Sequence, residues 1–188
     1  GRHYTERDSR KNILKRDGRS GEIVDTLLPA HRFTLPNGKR LAVNTYRLGG
    51  NDNIVLAFTE VRYIYRSSYT CIAYTYDLRR KKLLRLSEEP VMNLSIAPDG
   101  SKVAYVKGED IYYRDLITEQ EVRVTTDGQP YLISNGKSDW VYEETFSLLQ
   151  PFQWNAAGTH LAYYRFDQRC APMLTYPLYE TDGERREN

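Results

Sequence analysis

With 188 residues the chain is long enough for one domain with a real core, and 40% hydrophobic against 28% charged residues is an ordinary soluble composition. The net charge of +2 argues against a nucleic-acid binder. The compact basic run Arg79-Arg80-Lys81-Lys82 lies between two strand-like segments and reads as a solvated hairpin turn. No run approaches the roughly 18 apolar residues of a membrane span, and the start carries no signal-peptide core. The unusual count is 16 Tyr against 5 Phe, which suits strands, half-buried surfaces and ligand sites.

In chain order, Asn12-Ile13-Leu14-Lys15 and Glu22-Ile23-Val24-Asp25, joined through Asp17-Gly18 and Gly21, read as a β-hairpin. Residues 31–43 read as an extra strand or loop, because their Pro36-Asn37-Gly38 turn comes too soon before the next repeat. Three segments then share one pattern of turn residue, two spacers, Leu or Val, Ala and an aromatic. They are Asn53 to Phe58 (where Ile54 and Val55 are the spacers), Gly100 to Tyr105 and Gly158 to Tyr163. A second pattern links Tyr76-Asp77-Leu78 to Arg85-Leu86-Ser87 and Arg114-Asp115-Leu116 to Arg123-Val124-Thr125, each reading as strand, charged turn, strand.

Units of about 40–50 residues with four short strands each are the signature of β-propeller blades. The step from Leu56 to Val103 fits one blade, whereas that from Val103 to Leu161 is too long by about ten residues. The surplus coincides with the chain's single helix signal. Asp139 is an N-cap residue and Pro151 a stop, so a helix is predicted over 140–149, with Glu143 and Glu144 in its first turns. An insertion of this kind usually emerges on a functional face. The expected fold is therefore all-β, a partial propeller of about three blades with one short inserted helix. Three blades do not close a ring, so residues 1–188 are expected to be a fragment of a larger propeller domain.

Two readings of the acids remain open on these signals: a capped surface helix with solvated carboxylates, or carboxylates facing a cavity and holding a cation. Arg66, within Tyr63-Ile64-Tyr65-Arg66-Ser67-Ser68-Tyr69-Thr70, is either a snorkelling surface residue or a holder of carbonyl or carboxylate groups. His3, His31 and His160 have no partner at useful spacing. Cys71 and Cys170 lie in no metal-type spacing and read as free thiols, with a disulfide left open. Gly18-Arg19-Ser20-Gly21-Glu22 misses the nucleophile elbow by its last residue, and no phosphate-cradling loop or metalloprotease helix occurs. Asn93-Leu94-Ser95 fits a glycosylation sequon inside an expected strand. No metal or cofactor site is expected.

Taken together, Asp139-Trp140-Val141-Tyr142-Glu143-Glu144 and Tyr65-Arg66-Ser67-Ser68-Tyr69-Thr70 resemble the dipeptidyl peptidase IV family of serine exopeptidases in its bacterial form. The first segment matches the family's acidic helix motif, and the second its aromatic-Arg-His-Ser-Tyr segment. The resemblance implies an eight-bladed propeller capping a C-terminal α/β-hydrolase domain, whose Ser-Asp-His triad would lie beyond Asn188. It implies an activity that releases N-terminal dipeptides with Pro or Ala second, and a site formed by Glu144, Glu143, Arg66 and Thr145. It also implies an exported or periplasmic address and admits a homodimer of the parent, with neither nucleic acid nor membrane span as partner. By itself the fragment is expected to be inactive. The sequence departs from the motif at Thr145, where the family has a third Glu, and at Ser67, where it has His. The alternative is a non-catalytic relative, or a propeller scaffold that binds peptides or proteins.

Overall fold

In a computed structural model of the chain, the described residues are 2–172, with the backbone of 177–179 and 185–187.

The strands form successive antiparallel sheets in chain order. β1 (His3–Arg7), β2 (Ile13–Asp17) and β3 (Ile23–Leu28) make the first. β4 (Val43–Gly49), β5 (Ile54–Tyr63), β6 (Tyr69–Asp77) and β7 (Lys82–Arg85) make the second. β8 (Met92–Ile96), β9 (Lys102–Lys107), β10 (Asp110–Asp115) and β11 (Glu121–Arg123) make the third. Each pairs neighbour with neighbour, as in propeller blades.

The two sequence patterns map onto equivalent strands. Leu56-Ala57-Phe58 lies in β5 and Val103-Ala104-Tyr105 in β9, the second strand of each four-stranded blade. The Asp-Leu pattern marks the turn between third and fourth strands. There Asp77 Oδ1 accepts from the N–H groups of Arg79 and Arg80 at 2.9 Å each. Asp115 Oδ1 accepts from Ile117 and Thr118 at 2.8 Å each. Asp17 repeats the turn between β2 and β3, accepting from Arg19 at 2.8 Å and Ser20 at 3.0 Å. Such self-bonded Asp turns need no partner beyond their own backbone.

The core lies between blades. Ile54, Leu56 and Phe58 of β5 face the third blade, packing with Leu94, Val103 and Tyr105. The alternate residues Val55 and Ala57 face the first blade, packing with Ile13, Leu28 and Phe33. A strand buried on both faces has no polar alternation, hence the continuous run Ile54-Val55-Leu56-Ala57-Phe58. The turns joining first and second strands also meet. A Cβ on Gly50, whose φ is +58°, would come within 2.5 Å of the Cα of Gly100. Only glycine satisfies both the left-handed backbone and that approach.

The fourth unit is where the expected surplus falls. β12 (Ile133–Asn135) pairs with β15 (Arg165–Asp167), and β13 (Phe152–Trp154) with β14 (Leu161–Tyr163). Only Tyr164 separates β14 from β15, its N–H bonding Pro151 and its carbonyl accepting from Gly136. The two short strands β12 and β13 thus flank one continuous segment, and residues 136–151 loop out between them. Beyond it, β16 (Pro177–Tyr179) pairs with β17 (Arg185–Glu187).

Three expectations are refined. Of the two alternatives for residues 31–43, the loop is the one formed: it follows a 3-10 turn at Ala30–Arg32, holds a single bridge from Thr34 to Arg40, and ends where Val43 opens β4. The helix, α1 (Trp140–Phe146), stops three residues short of the predicted 149. The disulfide left open does not form: Cys71 and Cys170 are both free. Among the described residues no helix is long and apolar enough to cross a membrane.

Candidate functional site

Two structures built from different blades meet at the site. The first is the hairpin between β5 and β6, closed by Ile64 N–H donating to Ser68 O at 2.9 Å and carrying Arg66 at its tip. Its register shifts between Thr59 and Arg62, and Glu60 takes a φ of 51°. A bulge of this kind re-aims the strand end that leads into the hairpin.

The second is α1. Asp139 caps it, Oδ1 accepting from Tyr142 N–H at 3.0 Å. Ser147, in the left-handed conformation at φ 54°, ends it by donating its N–H to Glu143 O. The loop closes on itself through Ser138 Oγ, which donates to Leu148 O at 2.5 Å. Its base is tied to the third blade by Asn93 Nδ2, donating to Gly136 O at 2.9 Å. The Tyr142 ring packs edge-on against Phe166 of β15 with centroids 4.8 Å apart.

Where these meet, Glu143 is only 5% exposed and carries the junction. Oε1 accepts from Ser67 N–H at 2.6 Å and Ser68 N–H at 3.2 Å, and Oε2 accepts from the Ser68 hydroxyl. Burial acts on this carboxyl most strongly and disfavours its charge. The Ser68 hydroxyl and the Ser67 and Ser68 N–H groups outweigh it, leaving the group below its usual range. Next to it, Glu144 Oε2 stands 3.8 Å from Arg66 Nη1, with side-chain exposures of 32% and 82%. A cleft of about 330 Å³ opens beside the hairpin, from Tyr65 past Tyr131, Asp139 and Phe166.

The four sequence-predicted residues therefore sit at one junction, in different states. Arg66 and Glu144 are open and adjacent, Thr145 is exposed on the same short helix, and Glu143 is buried with both oxygens engaged. Sequence reasoning missed Ser68, whose hydroxyl and N–H both serve Glu143, and Asn93, which stood out only as a sequon. The short serine pair beside Arg66 was the available signal for Ser68.

Comparison with known proteins supplies the context. Residues 50–188 match the family model described as the dipeptidyl peptidase IV (DPP IV) N-terminal region. Dipeptidyl peptidase 4 of Felis catus is 32% identical over 149 residues, covering 76% of this chain and 19% of that protein. Prolyl endopeptidase FAP of Homo sapiens is 29% identical over 182 residues, covering 95% of this chain and 23% of that protein. In three dimensions the chain is similar to the crystal structure of Porphyromonas gingivalis dipeptidyl peptidase 4. The TM-score is 0.86 at 34% identity, covering 100% of this chain and 27% of that one. The chain thus spans from just under a fifth to a little over a quarter of these proteins.

Proposed function

The chain belongs to the dipeptidyl peptidase IV family, as part of its N-terminal region, and from that premise we propose that it anchors the free amino terminus of peptide substrates for an exported serine exopeptidase. Glu144 receives the substrate's α-ammonium, and Arg66 takes the carbonyl of the dipeptide to be released. Thr145 contributes at most a neutral hydrogen bond. Hydrolysis after Pro or Ala at the second position belongs to the hydrolase domain of the parent, on which the helix and hairpin would face.

The observation that carries the reading is the 3.8 Å approach of Arg66 to Glu144 from two separately built elements. Neither residue has another salt-bridge partner among the described residues, so both keep free capacity for a ligand. An α-ammonium, with a pKa of about 7.7–8.0, is largely charged at neutral pH. At ~4 Å from one carboxylate its attraction is on the order of 4 kcal/mol at an effective dielectric of 20, before desolvation. A blocked amine forfeits that term and leaves the carboxylate unpaired. The carboxylate therefore measures distance from the chain's end, and a rigid helix suits that task.

Steady-state kinetics of the full-length parent on a Gly-Pro reporter, with free and with acetylated amine, test this. Glu144→Gln is expected to lower the preference for the free amine by about 10-fold or more. Thr145→Glu is expected to raise affinity for the free-amine form. An unchanged preference in Glu144→Gln would remove the amine from this carboxylate.

A further inference from the structure

Glu143 and Glu144 are consecutive acids on one helix, yet they differ in every physical respect that matters for ligand binding. Glu143 is 5% exposed and its oxygens already accept three hydrogen bonds. An ionised carboxylate has about four acceptor positions, so little remains for a substrate. None of the described Lys, Arg or His side chains pairs with it, although an unpaired buried carboxylate would cost several kcal/mol. Its compensation comes entirely from neutral donors on the hairpin, two of them successive backbone N–H groups. Those donors flank Arg66 in sequence, and Glu143 itself flanks Glu144.

We infer that Glu143 is a positioning residue: it does not touch substrate, but locks the Arg66 hairpin to the helix so that Arg66 and Glu144 stand side by side at one end of the site. This rests on the amine-anchoring reading above and adds a division of labour within the acidic pair. One carboxylate is spent on geometry and the other is left for the ligand. Glu143 also contributes charge from beneath. With Thr145 neutral, the ionised Glu143 and Glu144 against Arg66 leave the cluster with one net negative charge, the sign an ammonium requires. Ser68 is the matching element on the hairpin, 7% exposed and bonded to both oxygens.

The test is a double-mutant cycle in the full-length parent with the free-amine Gly-Pro reporter. Glu143→Gln keeps one oxygen to accept from the Ser67 and Ser68 N–H groups but removes the negative charge and the second oxygen, the acceptor for the Ser68 hydroxyl. It is expected to raise KM about tenfold while kcat moves less than twofold. In an Arg66→Ala background the same change is expected to add almost nothing, since the hairpin's cargo is already gone. An unchanged KM in the single variant, or losses that multiply in the double variant, would overturn the inference. Should Glu143→Gln fail to fold, Ser68→Ala removes one donor and keeps the charge. It should then show the same coupling to Arg66 at smaller amplitude, and independent losses would count against the inference. Amide hydrogen exchange separates this from the parent reading. If Glu144→Gln leaves the free-amine preference unchanged, the amine-anchoring reading fails, whereas faster exchange at Ser67 and Ser68 in Glu143→Gln still supports the lock. Unchanged exchange there ends it.

Discussion

The interface between the second and third blades and the junction between hairpin and helix are built on opposite principles. At the interface, Phe58 and Tyr105 are both fully buried among Leu56, Leu86, Leu94 and Val103. Even its polar atoms are satisfied: Tyr105 Oη donates to Leu86 O at 2.9 Å or to Glu121 Oε1 at 2.7 Å. At the junction one carboxylate collects three donors, and around it Trp140, Tyr63 and Phe146 remain 57%, 70% and 66% exposed. The interface distributes its energy over apolar area. The junction concentrates it in one directional group. Stability and site geometry are therefore separable, and a substitution can destroy one while sparing the other.

The largest expected effect tests the apolar side. Phe58→Ala opens a cavity in the strand that serves both neighbouring blades, and about 3–5 kcal/mol of unfolding free energy should be lost. Denaturant unfolding measures it, and a loss under about 1 kcal/mol would mean that the interface relaxes around the void. Glu143→Gln sharpens the contrast in the same assay. It leaves buried donors with a poorer acceptor and should cost about 1–3 kcal/mol. Were it to unfold the blades as fully as Phe58→Ala, the junction would be part of the core rather than an attachment to it.

The difference between the two regions also governs what could be read from sequence. Burial on both faces of β5 and β9 writes itself as an apolar run between turn residues, so blades and their spacing were legible, and the surplus before Leu161 located the insertion. β4 was not legible. Its residues are half open, and the Pro36-Asn37-Gly38 turn ahead of it imitates the repeat's own turn. The helix end was misplaced because Pro151 is the visible stop, while the actual one is Ser147 in a left-handed conformation that its side chain does not advertise. At the site, Arg66, Glu143 and Glu144 were legible as residues but not by state. Which acid is buried depends on backbone N–H groups 75 and 76 positions away, and main-chain donors leave no mark in a sequence.

A smaller effect follows from protons. The junction stabilises the charged form of Glu143, whose carboxyl therefore sits below its ordinary 4.5. For a depressed carboxyl the stabilisation is complete above the unfolded value and disappears as pH falls through the folded one. The hairpin should stay locked to the helix at neutral pH and down past 4.5, then release on further acidification. NMR shifts of the Ser67 and Ser68 amides report this locally. They are thereby distinguished from Asp110, a second buried carboxyl held low, which bonds Thr125 and Asn135 elsewhere in the molecule. Amide shifts moving between pH 5 and 7 instead would assign the lock to some other group.

The smallest effect belongs to the residue pair with the largest proposed role. Arg66 is 82% exposed and meets Glu144 at 3.8 Å, a length at the outer edge of an ion pair. Open pairs of this kind contribute about 0–1 kcal/mol, because water and salt screen the attraction and two long side chains must be held still. Arg66→Ala should therefore shift the unfolding free energy by less than about 0.5 kcal/mol, well below Glu143→Gln one helical position from its partner. The same substitution should weaken binding of a free-amine dipeptide, since the guanidinium's capacity is unspent in the folded chain. A stability loss comparable to that of Glu143→Gln would show that Arg66 is itself a structural tie. The contrast between a group consumed by the fold and one left over for a ligand would then fail at the residue where it is drawn most sharply.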